Sequence, residues 1–261
     1  MKEMIYDYGH GQRWANFSGD YNPIHFDLAA AAELNQAVLV AHGMRVIADM
    51  KNHLLFQEEA SNHQYGELIR FSAKFEKPVL CGTKYSFIKS TDNTKTTFKL
   101  LDSSTGISRI RGSVSQAIPP DIDDLIYQNI VTREYQHDAI ESWPAEIERH
   151  YATFLSSVMF RELFRTQDLF PVNFFHKHIP VHSLSALLSQ NKVLQTHYDL
   201  YCNRLLFSEK ERSIEGLNIC ISKPFITGDA NDGWLIQVQV TAKENEDALM
   251  QISVTLKVTT N

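Results

Sequence analysis

The chain has 261 residues, 43% of them hydrophobic and 21% charged, with a net charge of −6 and no long basic run. That length is enough for one large domain or two ordinary ones, and the balance excludes a disordered or fibrous chain. The acidic charge argues against nucleic acid or an anionic membrane as partner, and no apolar stretch reaches membrane-spanning length.

The start, MKEMIYDYGH, has no signal-peptide apolar region, and the three cysteines, Cys81, Cys202 and Cys220, are widely spaced and odd in number. Both features point to a cytoplasmic protein with reduced thiols. GQRWANF (11–17) reads as a short helix, and SGDYNP after it is a run of turn formers. Turn chemistry alone would explain that run, Asp27 before LAAAAELN is explained as a helix N-cap, and His42-Gly43 could simply open the next helix. Residues 41–56, AHGMRVIADMKNHLLF, place Met44, Ile47, Ala48, Leu54 and Leu55 on one stripe and predict a long helix. Phe71, Ala73 and Phe75 then alternate as in a strand with one buried face, and KYSFIKS, TTFKLL and ISRIRGSVSQAI follow, divided by the turn signals STDNT and DSSTG. IPPDIDD (118–124) interrupts regular structure and reads as a linker, with Asp121, Asp123 and Asp124 solvated.

Beyond the linker, EIERHYATFLSSVMFRELFR (146–165) reads as an aromatic-rich, amphipathic helix standing where the first half has its turn. VHSLSALLSQN (181–191) occupies a place comparable to the long helix, and alternating runs end at Val240 and Val258. Lys77-Pro78 with Gly82 matches Lys223-Pro224 with Gly228 at a constant offset, each after an alternating run. Helix followed by antiparallel meander, twice, implies a tandem duplication. His176, His178 and His182 lie close together, but with no Cys or acid beside them a zinc site is not expected.

Within the turn, an alternative reading makes the parts cooperate. Asp20 and His25 on one rigid turn can share a water and move protons near neutral pH. The Gly43 amide, opening a helix, is an unpaired donor suited to an oxygen that gains charge. Acid, imidazole and oxyanion donor together describe addition or removal of water beside a carbonyl.

Ser18-Gly19-Asp20, Asn22-Pro23-Ile24-His25, Asp27 and Ala31, followed by His42-Gly43-Met44, closely resemble the signature of MaoC-like dehydratases, the (R)-specific enoyl-CoA hydratases of the hot-dog fold. FEKPVLCG resembles the strand that follows the hot-dog helix, and the likeness is clear over about residues 12–117. It implies an α+β double hot-dog: a first domain over 1–118, a linker over 119–124 and a degenerate second domain over 125–261, packed as a pseudo-dimer. It further implies reversible hydration of a 2-enoyl thioester on coenzyme A or acyl carrier protein. Asp20 and His25 would activate water, Gly43 would hold the thioester oxygen, and Asn22, Ser18 and His42 would contact or brace the substrate site. No cofactor and no metal are implied, and chains of this kind are compatible with a homodimer. A thioesterase and a non-catalytic acyl-CoA binder remain as alternatives. Only MKEMIYDY precedes the first helix, so the first sheet is expected to be either incomplete or covered at that edge. Aligning His182-Ser183-Leu184 with His42-Gly43-Met44 puts Phe160 and Arg165 where Asp20 and His25 stand, with Glu162 and Asp168 as the acids nearby. One active site per chain is expected.

Overall fold

The computed structural model describes residues 2–55, 68–92, 94–121, 124–170, 181–207, 209–229 and 231–259. Asp123, His176 and His178 lie outside them, so the histidine cluster and its metal reading rest on the sequence alone. No helix among the described residues is long and apolar enough to cross a membrane.

The first half runs β1 (Lys2–Ile5), α1 (Tyr8–Ser18), α2 (Leu28–Glu33), α3 (Gly43–Leu55), β2 (Leu68–Phe75), β3 (Lys84–Thr91), β4 (Lys95–Asp102) and β5 (Ser108–Gln116). The second runs β6 (Leu125–Ile130), α4 (Arg133–Glu141), α5 (Tyr151–Arg165), α6 (Leu184–Gln190), β7 (Lys192–Asn203), β8 (Asn218–Ser222), β9 (Phe225–Asp229), β10 (Gly233–Glu244) and β11 (Asp247–Thr259). Helices combined with antiparallel strands make this an α+β fold. The strands form one continuous sheet in the order β1-β3-β4-β5-β2-β7-β11-β10-β8-β6, with β9 beside β10. Read outward from the β2–β7 seam, the halves follow one order, β2-β5-β4-β3-β1 and β7-β11-β10-β8-β6, once β8 and β9, which both pair with β10, are taken as one broken strand.

Local chemistry explains the boundaries. Asp7 caps α1 by accepting from the His10 N–H at 2.8 Å, and the helix ends at Gly19, whose φ of +81° is a left-handed conformation. Asp27 caps α2. Short as it is, β1 pairs with β3 from Lys2–Phe87 to Ile5–Lys84 and supplies the edge that the short N-terminus put in question.

Three expectations are corrected by this topology. The Lys-Pro repeat joins non-equivalent elements: Lys77-Pro78 follows β2 at the seam, whereas Lys223-Pro224 separates β8 from β9 near the far edge. A proline cannot donate to the ladder, so the two copies share a strand-breaking device rather than a position. The helix lying on β8, β10 and β11 is α5, not residues 181–191, which form only the seven-residue α6. Nor is α5 amphipathic, since fourteen of its fifteen residues are buried. It is enclosed by α1, α3, α6 and the sheet.

The halves are joined by more than the seam. Trp14, Phe17, Trp143 and Phe154 form a chain of edge-on rings, with Phe17 and Trp143 centroids 5.0 Å apart. Lys51 of α3, fully buried, donates to Ser156 Oγ of α5 at 2.5 Å and lies over the ring of Tyr198 on β7.

Candidate active site

Gly19 starts the site. Its left-handed backbone turns the chain sharply after α1, and Phe164 of α5 packs so close that a Cβ on Gly19 would stand 3.1 Å from the Phe164 Cβ. The turn is then locked residue by residue. Ser18 Oγ accepts from the Asp20 N–H at 3.1 Å, and Asp20 Oδ1 accepts from the Asn22 N–H at 3.2 Å. Asn22 Oδ1 caps the short 3-10 turn Pro23–His25 by accepting from the Ile24 N–H, and its Nδ2 donates to the Val193 carbonyl of β7 at 3.2 Å. One asparagine therefore ties the turn to itself and to the other half of the chain.

Asp20 and His25 face each other across 3.9 Å from Oδ2 to Nε2, both nearly buried. That gap is too long for a direct hydrogen bond and leaves both atoms able to accept from one water. His25 Nδ1 donates to the Val40 carbonyl at 2.7 Å, which sets the tautomer and leaves the Nε2 lone pair toward Asp20. Burial raises the Asp20 carboxyl above its ordinary value, opposed by His25 and the Asn22 N–H. Burial likewise depresses His25, opposed by Asp20 and the Val40 carbonyl. The two affinities for a proton are thus drawn toward each other, which suits an acid and a base that exchange roles.

His42 serves the turn from behind. Its Nε2 donates to the Asp20 carbonyl at 2.9 Å and its ring stacks on His25 with centroids 3.7 Å apart. Burial, then His25, push it well below the ordinary histidine value, so it stays neutral. Neither Ser18 nor His42 lines the cavity; both hold the turn. Asp20, His25 and His42 bring possible ligand atoms within 4.8 Å of one another. A metal must lie in the plane of each imidazole it binds, however, and stacked rings at 27° do not converge on one point.

A cavity of about 240 Å³ opens in front of Asp20, Asn22, His25 and Gly43. Its first-half wall is Phe75 and the segment after it; the rest comes from Phe160, Leu163 and Phe164 of α5, Leu184 and Leu188 of α6, and β7, β10 and β11. Gly43 opens α3, and no described residue accepts from its N–H. A Cβ there would stand 2.6 Å from Gln195 Oε1 and 3.0 Å from the Phe75 ring, so a side chain at this position would have to push the Gln195 amide and that ring aside. Phe160 falls in this wall on a helix rather than in a turn, Arg165 ends α5 half-exposed, and Glu162 is fully buried, accepting from Asn129 Nδ2 at 3.0 Å. Among the described residues, the second half therefore offers no acid–histidine pair at this place.

Residues 11–108 match the sequence profile of the family described as MaoC like domain. This segment is a MaoC-like domain. The Asp20 turn, α3 and the strands to the start of β5 all fall within it. A solved structure named MaoC-like dehydratase is similar over 99% of this chain and 96% of its own, with a TM-score of 0.50 at 12% identity, a likeness of fold. The dehydratase domain of PpsC from Mycobacterium tuberculosis, in complex with C12:1-CoA, gives 0.44 at 9% identity over 85% of this chain and 86% of its own. A protein from Lactobacillus plantarum provisionally described as an oleoyl thioesterase gives 0.48 at 9% identity over 100% and 96%. No curated protein sequence matches the chain significantly.

The sequence reading missed the wall opposite the MaoC-like turn. Gln195 and the Val193 carbonyl reach it through the β2–β7 pairing, a contact for which no local motif exists. The Val40 carbonyl, two residues before His42, was near enough in sequence to have been considered.

Proposed function

We propose that this chain reversibly hydrates a 2-enoyl thioester to its 3-hydroxyacyl partner, with the acyl group carried on coenzyme A or acyl carrier protein. The observation that carries the reading is the buried Asp20/His25 pair facing an apolar cavity whose rim holds the open Gly43 N–H. A water held between His25 Nε2 and Asp20 bonds through its oxygen to C3 as the C2–C3 double bond breaks. The pair takes a proton from that water and delivers one to C2, and the Gly43 N–H stabilises the enolate-like thioester oxygen between the two events. Dehydration is the reverse. Asn22 keeps the turn rigid and seated against β7.

In this reading the chain is a double hot-dog, with residues 1–118 as the catalytic domain, 119–124 as linker and 125–261 as a degenerate partner that walls the acyl chain. One site per chain, a cytoplasmic setting and pairing of chains into homodimers complete the proposal. The repeated strand order and the MaoC-like segment support it.

Incubation with 2-enoyl-CoAs of several lengths, following conjugated-thioester absorbance and free thiol together, tests it. Loss of conjugation without thiol release is expected. Thiol release would instead assign a thioesterase, and binding without either change a non-catalytic acyl-CoA protein.

A further inference from the structure

We infer that Gln195, from the second half of the chain, is a second hydrogen-bond donor to the thioester oxygen in the site of the first half. The inference rests on the hydration reading above. Two independent features aim Gln195 at the reacting carbonyl. The first is a β-bulge: in the β7–β11 ladder His197 pairs with Thr255 and Gln195 with Leu256, which leaves Thr196 unpaired. Thr196 fixes the irregularity by donating its hydroxyl to the Thr255 carbonyl at 3.2 Å. An extra residue reverses the alternation of faces, so Gln195 shares the inward side of Val193 and lines the cavity.

The second feature is the company the amide keeps. Gln195 Oε1 is 2.6 Å from the point where a Cβ of Gly43 would stand, beside the open N–H. Among the described residues its Nε2 donates only to Met44 Sδ, at 3.3 Å, and a thioether is a weak acceptor. A thioester oxygen on the Gly43 N–H would therefore meet another acceptor, Oε1. Half a turn about the terminal torsion, a broad and low barrier, exchanges Oε1 for Nε2 and gives up only the bond to sulfur. The oxygen then receives two donors, one from each half. As charge gathers on it during attack at C3, both strengthen, so the effect falls on turnover rather than on binding.

The test uses the full chain and the variants Gln195→Leu and Gln195→Glu, the second nearly isosteric but unable to donate when ionised. Hydration of a 2-enoyl-CoA should show kcat reduced by about 10²–10³-fold in both, with KM nearly unchanged. A second readout uses the His25→Ala background, in which bound enoyl-CoA is consumed slowly enough for its spectrum to be recorded at early times. Hydrogen bonds to the thioester oxygen move its conjugated absorption to longer wavelength, and that shift should shrink in both double variants. Unchanged kcat, a change confined to KM, or an undiminished shift would overturn the assignment. If Gln195→Leu does not fold, Gln195→Glu decides alone. Wild-type protein that binds enoyl-CoA without hydrating it would sink the hydration reading, while the spectral shift still judges Gln195. Wild-type protein that binds none would sink both.

Discussion

A single buried water site between Asp20 and His25 would make each residue dependent on the other's charge. Burial lowers His25 and Asp20 raises it, so the imidazole is neutral at and above the ordinary histidine value of about 6.5. The acid limb of kcat/KM should then lie below that pH and belong to the pair rather than to one residue. Asp20→Asn removes the charge that holds His25 up, so the limb of the residual activity should move to still lower pH. Asp20→Asn and His25→Ala should each reduce kcat by about 10²–10⁴-fold with folding intact. A pH–rate series on the three proteins checks both statements, and wild-type rates in the two variants would remove the pair from the mechanism.

At the scale of elements, much of the cavity's second-half wall is set by two helices of unequal size. Leu188 lies on the short α6, and Phe160 on the enclosed α5. Leu188→Trp adds volume at the part of the wall that α6 supplies. It should reduce kcat/KM for long acyl chains by about tenfold or more, and for short ones much less. Parallel assays across chain lengths check this; an equal loss at all lengths would place Leu188 near the reacting carbon instead.

The same elements mark where sequence reasoning stopped. The helix opening at Gly43, the strands from Phe71 to Gln116 and the turn through His25 were legible because each has one buried face and local punctuation. β7 was not, because the Thr196 bulge moves its buried positions from Val193 to Tyr198, Leu200 and Cys202, which breaks the period of two. A helix enclosed on all sides, such as α5, carries no stripe to read, so its place in the second half went to the shorter Leu184–Gln190. The catalytic candidates sat within one local motif, whereas Val193 and Gln195 came to them only through strand pairing.

Across the whole molecule, Lys51 couples stability to pH. It is fully buried between α3, α5 and β7, and burial pushes its ammonium down to about 7, with Cys202 opposing. In an unfolded chain the same group titrates near 10.4. Between these values the unfolded state binds more protons than the folded one, so folding stability rises with pH. Each pH unit in that window is worth about 1.4 kcal/mol, reached progressively above 7. The buried thiols and phenols are raised and work the other way only at higher pH, so pH 7 to 8.5 isolates the lysine. Urea unfolding of wild type and Lys51→Met across that range should show the rise in wild type and its loss in the variant. Parallel slopes would mean that Lys51 is charged and paired in the folded protein.

The β2–β7 seam has a consequence for how such a molecule can be cut. Seven residue pairs, from Leu68–Asn203 to Lys74–His197, stitch the halves across a single antiparallel junction, and the rings of Trp14 and Trp143 meet in a separate contact. The linker contributes to none of these contacts among its described residues, so peptide continuity there does little that the seam does not. A break at that point would leave two fragments, each presenting a bare strand edge that only the other fits in register. The chain is thus a natural template for a split reporter: neither piece has a complete pocket, and the cavity between the Asp20 turn and β7 forms again only when the two strands find each other.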